Sequence, residues 1–309
     1  MVVSDGLRLA NAKGIPNGTL NLGSSAYVAN NGQRFRIGRL SGSGTLAGLT
    51  ADVTAAGSAN TWVIGNDDNW SWSGVVAENS LLEKVGSGRV TLTGQHTFTG
   101  RCTVSEGQLH TANISLGTGA LTVAEGAVFS GIPTLKNSSV NIDGTLQPGQ
   151  SANNATSGNM KFSAKNVTLS TTSTLSIGIR ACTTASNTGC TQLQDIAKLT
   201  ANGTVTVHLA ANYTPTAGDS IRIVSAQNIS GSPRFDLPTL ANGLYWDTTD
   251  FLTTGLLRIS DVSTAISQTV NRESVNSKYY DLQGRRIDNT RKGSVYIRRT
   301  GNGSKLLIH

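Results

Sequence analysis

Apolar and hydroxyl-bearing residues alternate in short runs along most of this chain, and a glycine or asparagine closes nearly every run. Between Leu81 and Thr111, glycines at 86, 88, 94, 100 and 107 separate stretches such as Val90-Thr91-Leu92-Thr93 and Cys102-Thr103-Val104. The same grammar recurs in Asn17–Val28, Phe35–Leu49, Gly119–Gly131, Ser138–Gly149, Asn166–Ile179 and Gly203–Pro215. A period of two sends successive side chains to opposite faces of a strand. Helical spacing is sustained over three turns nowhere. The nearest case, "LQDIAKL" (Leu193–Leu199), reads equally well as a strand.

Strand–turn units that cannot bury an apolar face alone are stabilised by stacking on copies of themselves. Three strands per coil predict an all-β fold, a right-handed parallel β-helix. Val, Leu and Ile fill its bore, and Thr, Ser and Asn face water. At roughly 20–25 residues per coil, ten or eleven coils make a rod of about 50 Å at the ordinary strand spacing. A Greek-key sandwich is the alternative; it requires antiparallel hairpins with turns every 8–12 residues or so. Composition favours the solenoid: 35 glycines, 6 prolines, 14% charged and 37% apolar residues. Val and Thr suit pleated, half-buried surfaces, and this apolar content in periodic runs argues against disorder.

The wording of Leu81–Leu109, "LLEKVGSGRVTLTGQHTFTGRCTVSEGQL", resembles the autotransporter-associated β-strand repeat. In that family a lysine-glycine-glycine-threonine-leucine opening leads into a "TLSG-N-TYTG" pattern. Ile37–Leu46 and Thr61–Val76 fit its flanking coils, and Tyr213–Val224 and Leu237–Ile259 resemble closing coils. The resemblance spans most of residues 35–260 and implies a passenger-like stalk. The sequence departs from it at Cys102, where the family usually has a non-thiol residue, and in the insertion at 182–190. Farther on, "YDLQGRRI" and "KGSVYI" (Tyr280–Ile287, Lys292–Ile297) resemble the sorting-domain-like tail of Bacteroidetes-type secreted proteins, and Gln283-Gly284 marks a turn. These resemblances predict two regions: a stalk over 1–260 and a short antiparallel β tail over 261–309 that engages secretion machinery. They also imply a secreted or cell-surface location. The sequence begins inside repeat-like text, which predicts a piece of a longer protein with a further module upstream.

Charge sharpens this division. Residues 1–150 hold nine basic and nine acidic side chains, residues 151–260 seven and five, and residues 261–309 nine and four. The tail therefore carries most of the +7. The body has no basic stripe interleaved with aromatics, so no nucleic-acid partner is expected. No apolar run approaches eighteen residues, so no membrane insertion is expected, and the rod is read as a monomer. Cys182 and Cys190 flank a small polar loop. A bridge between them would stabilise by about 2.5 kcal/mol and suits an oxidising compartment. Cys102 stands where a core valine would serve and is read as a buried thiol.

The candidate sites are few. Asp67 and Asp68, between Asn66 and Asn69, offer hard oxygens for calcium, although neighbours on a strand point to opposite faces. A solvated turn is the plainer reading. Trp62, Trp70 and Trp72 cluster within eleven positions. Exposed, they would stack on sugar rings; buried, they would be core. Trp70 and Trp72 share a face on a strand, and Trp246 is read as a plug for the bore. Arg34 and Arg36 share a face beside Phe35, read as solvated. Glu78 and Glu83 show no matching partner, and His96 is placed in an outward turn. No histidine has an acid or nucleophile at suggestive spacing, and no phosphate-binding or nucleophile-elbow motif occurs in a strand–helix setting. No catalytic residue and no cofactor beyond calcium is predicted. Three functions follow: a non-catalytic display stalk, a polysaccharide-binding module using Trp70 and Trp72, and a β-helix polysaccharide lyase or hydrolase.

Overall fold

The computed structural model describes residues 2–3, 6–9, 14–49, 60–149, 158–180, 189–261, 278–287, 295–300 and 303–308. It divides into two compact units, residues 1–240 with 246–259 and residues 241–245 with 260–309.

The first unit is a parallel β-helix whose coils each turn through three faces. One regular coil runs from Leu81–Lys84 on face 1 to Arg89–Leu92 on face 2. It returns along face 3 through His96, which bridges Leu116 in parallel. The next coil repeats this with Cys102–Val104 and Gln108–Thr111. Successive coils pair in parallel, and the hydrogen-bonded order assembles sheets of eleven and eight strands. Neighbouring ribbons that run the same way exclude the Greek-key sandwich.

Register explains why the alternation is so regular. On face 1, Leu82 stands over Cys102, Leu121, Val140, Val167 and Leu199 in successive coils. On face 2, Trp70 stands over Val90, Leu109, Phe129, Leu146, Leu175, Val205 and Phe235. These inward columns form the core, and from Val90 to Val205 every face 2 rung is at most 1% exposed. A one-residue slip would turn a whole column out to water, so burial pins the register. Val90, Leu109 and Phe129 follow at steps of nineteen and twenty residues, at the short end of the predicted coil length. The step grows to twenty-nine from Leu146 to Leu175, across residues 150–157, which lie outside the described set. "LQDIAKL" belongs to the strand Thr191–Ala201.

At the C-terminal end of the helix, antiparallel pairing appears beside the last parallel strands, Val224–Ser230 and Arg234–Asp236. Ser220–Arg222 pairs antiparallel with Leu256–Asp261, and the short helix Phe251–Thr254 puts Phe251 edge-on to Phe235 at 5.3 Å. Phe251 is 1% exposed and extends the face 2 column. Trp246, predicted as the plug, is only partly buried and donates its indole N–H to the Pro238 carbonyl at 2.9 Å. Its N–H has an acceptor there, and the apolar Phe251 packs on Phe235 at the end of the column instead.

The second unit contains an antiparallel sheet of Lys278–Tyr280, Arg286–Ile287, Val295–Thr300 and Gly303–Ile308. The predicted turn at Gln283-Gly284 is present, with Gly284 at φ 82°. Asp281 ties it together by accepting the backbone N–H groups of Gln283 and Arg285.

Candidate functional site

The three clustered tryptophans lie inside the helix. Trp62, Trp70 and Trp72 are 0%, 5% and 1% exposed. Trp70 and Trp72 do share a face, as alternation around Ser71 requires, but it is the inner one: they stack on Val90 and Leu92 in the next coil. Trp62 meets Phe35 edge-on at 6.0 Å, and Trp72 leads through His96 at 6.2 Å to Phe98. The expectation of an exposed glycan platform is corrected accordingly. None of the three indole N–H groups meets an acceptor among the described residues. That costs about 1–3 kcal/mol for each such group, offset by burial of the large apolar rings.

Asp67 and Asp68 occupy the corner between faces 1 and 2, and their oxygens are engaged by the chain itself. Asp67 Oδ1 accepts the backbone N–H and hydroxyl of Ser87, one coil on, at 3.1 and 2.8 Å. Those bonds hold its carboxyl below the ordinary value. Asp68 Oδ2 accepts from Asn66 Nδ2 at 2.9 Å, and Asn69 Oδ1 accepts the Arg89 N–H at 2.7 Å. The corner is an amide and carboxylate ladder stitching one coil to the next. Among the described residues no three His, Cys, Asp or Glu side chains gather as a cation would need.

Cys182, the predicted bridge partner of Cys190, lies outside the described residues. Cys190 is buried, and its sulfur accepts from Gln192 Nε2 at 3.2 Å. Cys102 is a buried free thiol in the face 1 column, and burial pushes it up to about 12. A thiol so far from ionisation is inert.

Two polar residues sit where sequence reasoning did not place them. His96, expected in an outward turn, is 2% exposed; its Nδ1 accepts the Val76 N–H at 3.0 Å, and burial pulls it down to about 4. Lys84 is fully buried and occupies an inward rung between Ile64 and Val104. Its stem fills the bore while its ammonium meets corner carbonyls of Val85, Gly86 and Glu106. Burial lowers it to about 8, with the Glu106 and then the Asp67 carboxylates acting in the opposite direction.

On the outside of face 1, stacking builds a feature that no local motif shows. Arg34 pairs with Thr61, Thr61 with Leu81, and Leu81 precedes the Leu82–Cys102 pair, which places Arg101 next in the column. These residues, with Glu83 and Thr103, line a cavity of about 240 Å³. Arg34 donates to Glu83 Oε2 through Nε at 3.2 Å and Nη2 at 2.8 Å. Ser105 donates its hydroxyl to the other oxygen at 3.2 Å. Arg34 and Arg101 are 67 positions apart in sequence, so only the coil register reveals that they flank one hollow. No protein-family model matches the chain, and no curated protein does.

Proposed function

We propose that this chain is a non-catalytic extracellular stalk, which holds another part of a larger secreted or surface-attached bacterial protein away from its anchorage. The antiparallel tail is its export or attachment signal, read by secretion machinery. The observation that carries this reading is the unbroken inward column from Trp70 to Phe235, with nearly every rung sealed. A column of this kind makes a stiff rod, because each coil buries its apolar face only against its neighbours. The corner ladder supports the same role: the side chains of Asp67, Asn69 and Asn60 bond to backbone one coil away, so they serve cohesion. The tail's net charge of +5 and its own sheet suit a separately recognised element.

The test is export. A reporter fused to residues 1–309 is expressed in a Bacteroidetes host and compared with the same fusion ending at residue 260. The reading expects the longer fusion on the cell surface or in the medium and the shorter one retained. Equal export of the two removes the role of the tail. Turnover of any polysaccharide by purified 1–309 removes the non-catalytic role.

A further inference from the structure

We propose that the cavity between Arg34 and Arg101 on face 1 binds an acidic sugar residue, a hexuronate unit of an anionic polysaccharide. The inference goes beyond the stalk reading and does not depend on it. Its first support is charge. Arg34 and Arg101 flank one carboxylate, that of Glu83, which Arg34 and Ser105 already engage. Arg101 is exposed and has no acidic partner among the described residues, so its guanidinium is available to a carboxylate in the planar, bidentate geometry that suits arginine. Two exposed arginines alone would attract any anion, and the cavity narrows the choice.

Its lining is mostly polar, and its floor is closed. Leu81 points outward yet is only 5% exposed, and Thr61 beside it is 6% exposed. Arg34 and Arg101 rise at either end, three coils or about 14 Å apart at the ordinary strand spacing. A sulfate or phosphate ion would use the guanidinium of Arg101 and leave Glu83 and Thr103 without a hydroxyl partner. A hexuronate ring offers hydroxyls to Glu83 and Thr103, and its carboxylate reaches Arg101. The Arg34–Glu83–Ser105 bonds hold the acceptor in place before any ligand arrives, which limits the ordering cost of binding. The hollow lies on the outside of a rod, so a polymer can continue past it in both directions.

The test is a calorimetric titration of the full chain with trigalacturonate, neutral cellotriose, triglutamate and sodium sulfate. Trigalacturonate is expected to bind, more weakly as salt is added, and at least about tenfold more tightly than the other three. Arg101→Gln should weaken it by about tenfold, the weight of one charge-assisted hydrogen bond. Arg258→Gln at the far end should leave it unchanged. Matching thermal midpoints show that the variants fold. No binding of trigalacturonate, equal binding of any other probe, or an unchanged affinity in Arg101→Gln overturns the proposal.

Discussion

Lys84 and Glu106, one coil apart, hold each other's corner from both sides. The Lys84 ammonium donates to the Glu106 carbonyl at 2.9 Å, and the Glu106 carboxylate accepts the Gly86 N–H at 3.0 Å. The ammonium also reaches the Val85 carbonyl at 3.0 Å and that of Gly86 at 2.6 Å. Where the chain turns from face 1 to face 2, these carbonyls leave the strand ladder. One buried cation supplies donors to all three.

Replacing that cation sets two effects against each other. Lys84→Met keeps the stem in the bore and ends the cost of desolvating a charge. It also leaves three corner carbonyls without their donor, at about 1–3 kcal/mol for each one kept from water. The carbonyls outnumber the charge, so the variant is expected to be less stable by a net of about 1–3 kcal/mol in urea unfolding. There is a pH signature as well. Burial brings the folded value from 10.5 to about 8, so the unfolded chain holds the extra proton between those values. Stability should therefore rise with pH across that window in the parent and not in Lys84→Met. A variant more stable than the parent at neutral pH would show that desolvation dominates.

His96 gives the acid-side counterpart. Its folded value is about 4 against 6.5 for the free side chain, because burial penalises the imidazolium and Nδ1 accepts the Val76 N–H. The unfolded state binds more protons between these values, so the His96 contribution is complete above about pH 6.5 and is lost as pH falls toward 4. The loss should reach about 3 kcal/mol. Asp67, Asp247 and Asp281 are also held below their ordinary values and add their own losses at lower pH. The measurement is therefore the difference in slope between parent and His96→Phe from pH 7 to 4. Parallel curves would mean that His96 does not carry the effect.

The coil was legible in the sequence because alternation and glycine turns are local signals, and a strand period of two needs no tertiary context. Much of the inside was legible by the same rule: Cys102 reads as a valine-like rung and is one. Trp70 and Trp72 were correctly placed on one face. Which face was harder, since a tryptophan suits a core and a sugar platform equally; the serine between them, left outside, was the usable clue. Lys84 was hidden because a lysine is ordinarily read as outward, although it stands two residues after the inward Leu82. The Arg34–Glu83–Arg101 cavity was out of reach. Its parts come from non-adjacent coils, and the irregular step from Phe35 to Trp62, twenty-seven residues, shifts any simple repeat count.

Trp72 separates a core role from a binding role. It is 1% exposed, and its ring meets His96 and stands over Leu92. Trp72→Ala should cost about 3–5 kcal/mol, the range for emptying a large aromatic site. At temperatures where the variant stays folded, it should leave trigalacturonate affinity unchanged, because the ring lies inside face 2 and the cavity outside face 1. A variant of parental stability with lost sugar binding would place Trp72 at the surface.

Glycines at two turns should respond differently to the same added methyl group. At Gly119 a Cβ would fall 1.9 Å from the Gly100 carbonyl oxygen and 2.3 Å from its carbon, in the coil before. Both are backbone atoms within a stack of coils, so neither can move without breaking the register on either side. At Gly126 nothing lies within 4 Å, and the only obstacle is a left-handed φ of 79°. Gly126→Ala should therefore cost about 1–2 kcal/mol, the strain of that conformation. Gly119→Ala should cost about 3 kcal/mol, the upper part of the overpacking range, or fail to fold. Urea midpoints for the two variants measure the difference. Equal midpoints would mean that the spacing between coils yields to a methyl group, and the tight backbone stacking that sets the column register would not be what holds this helix.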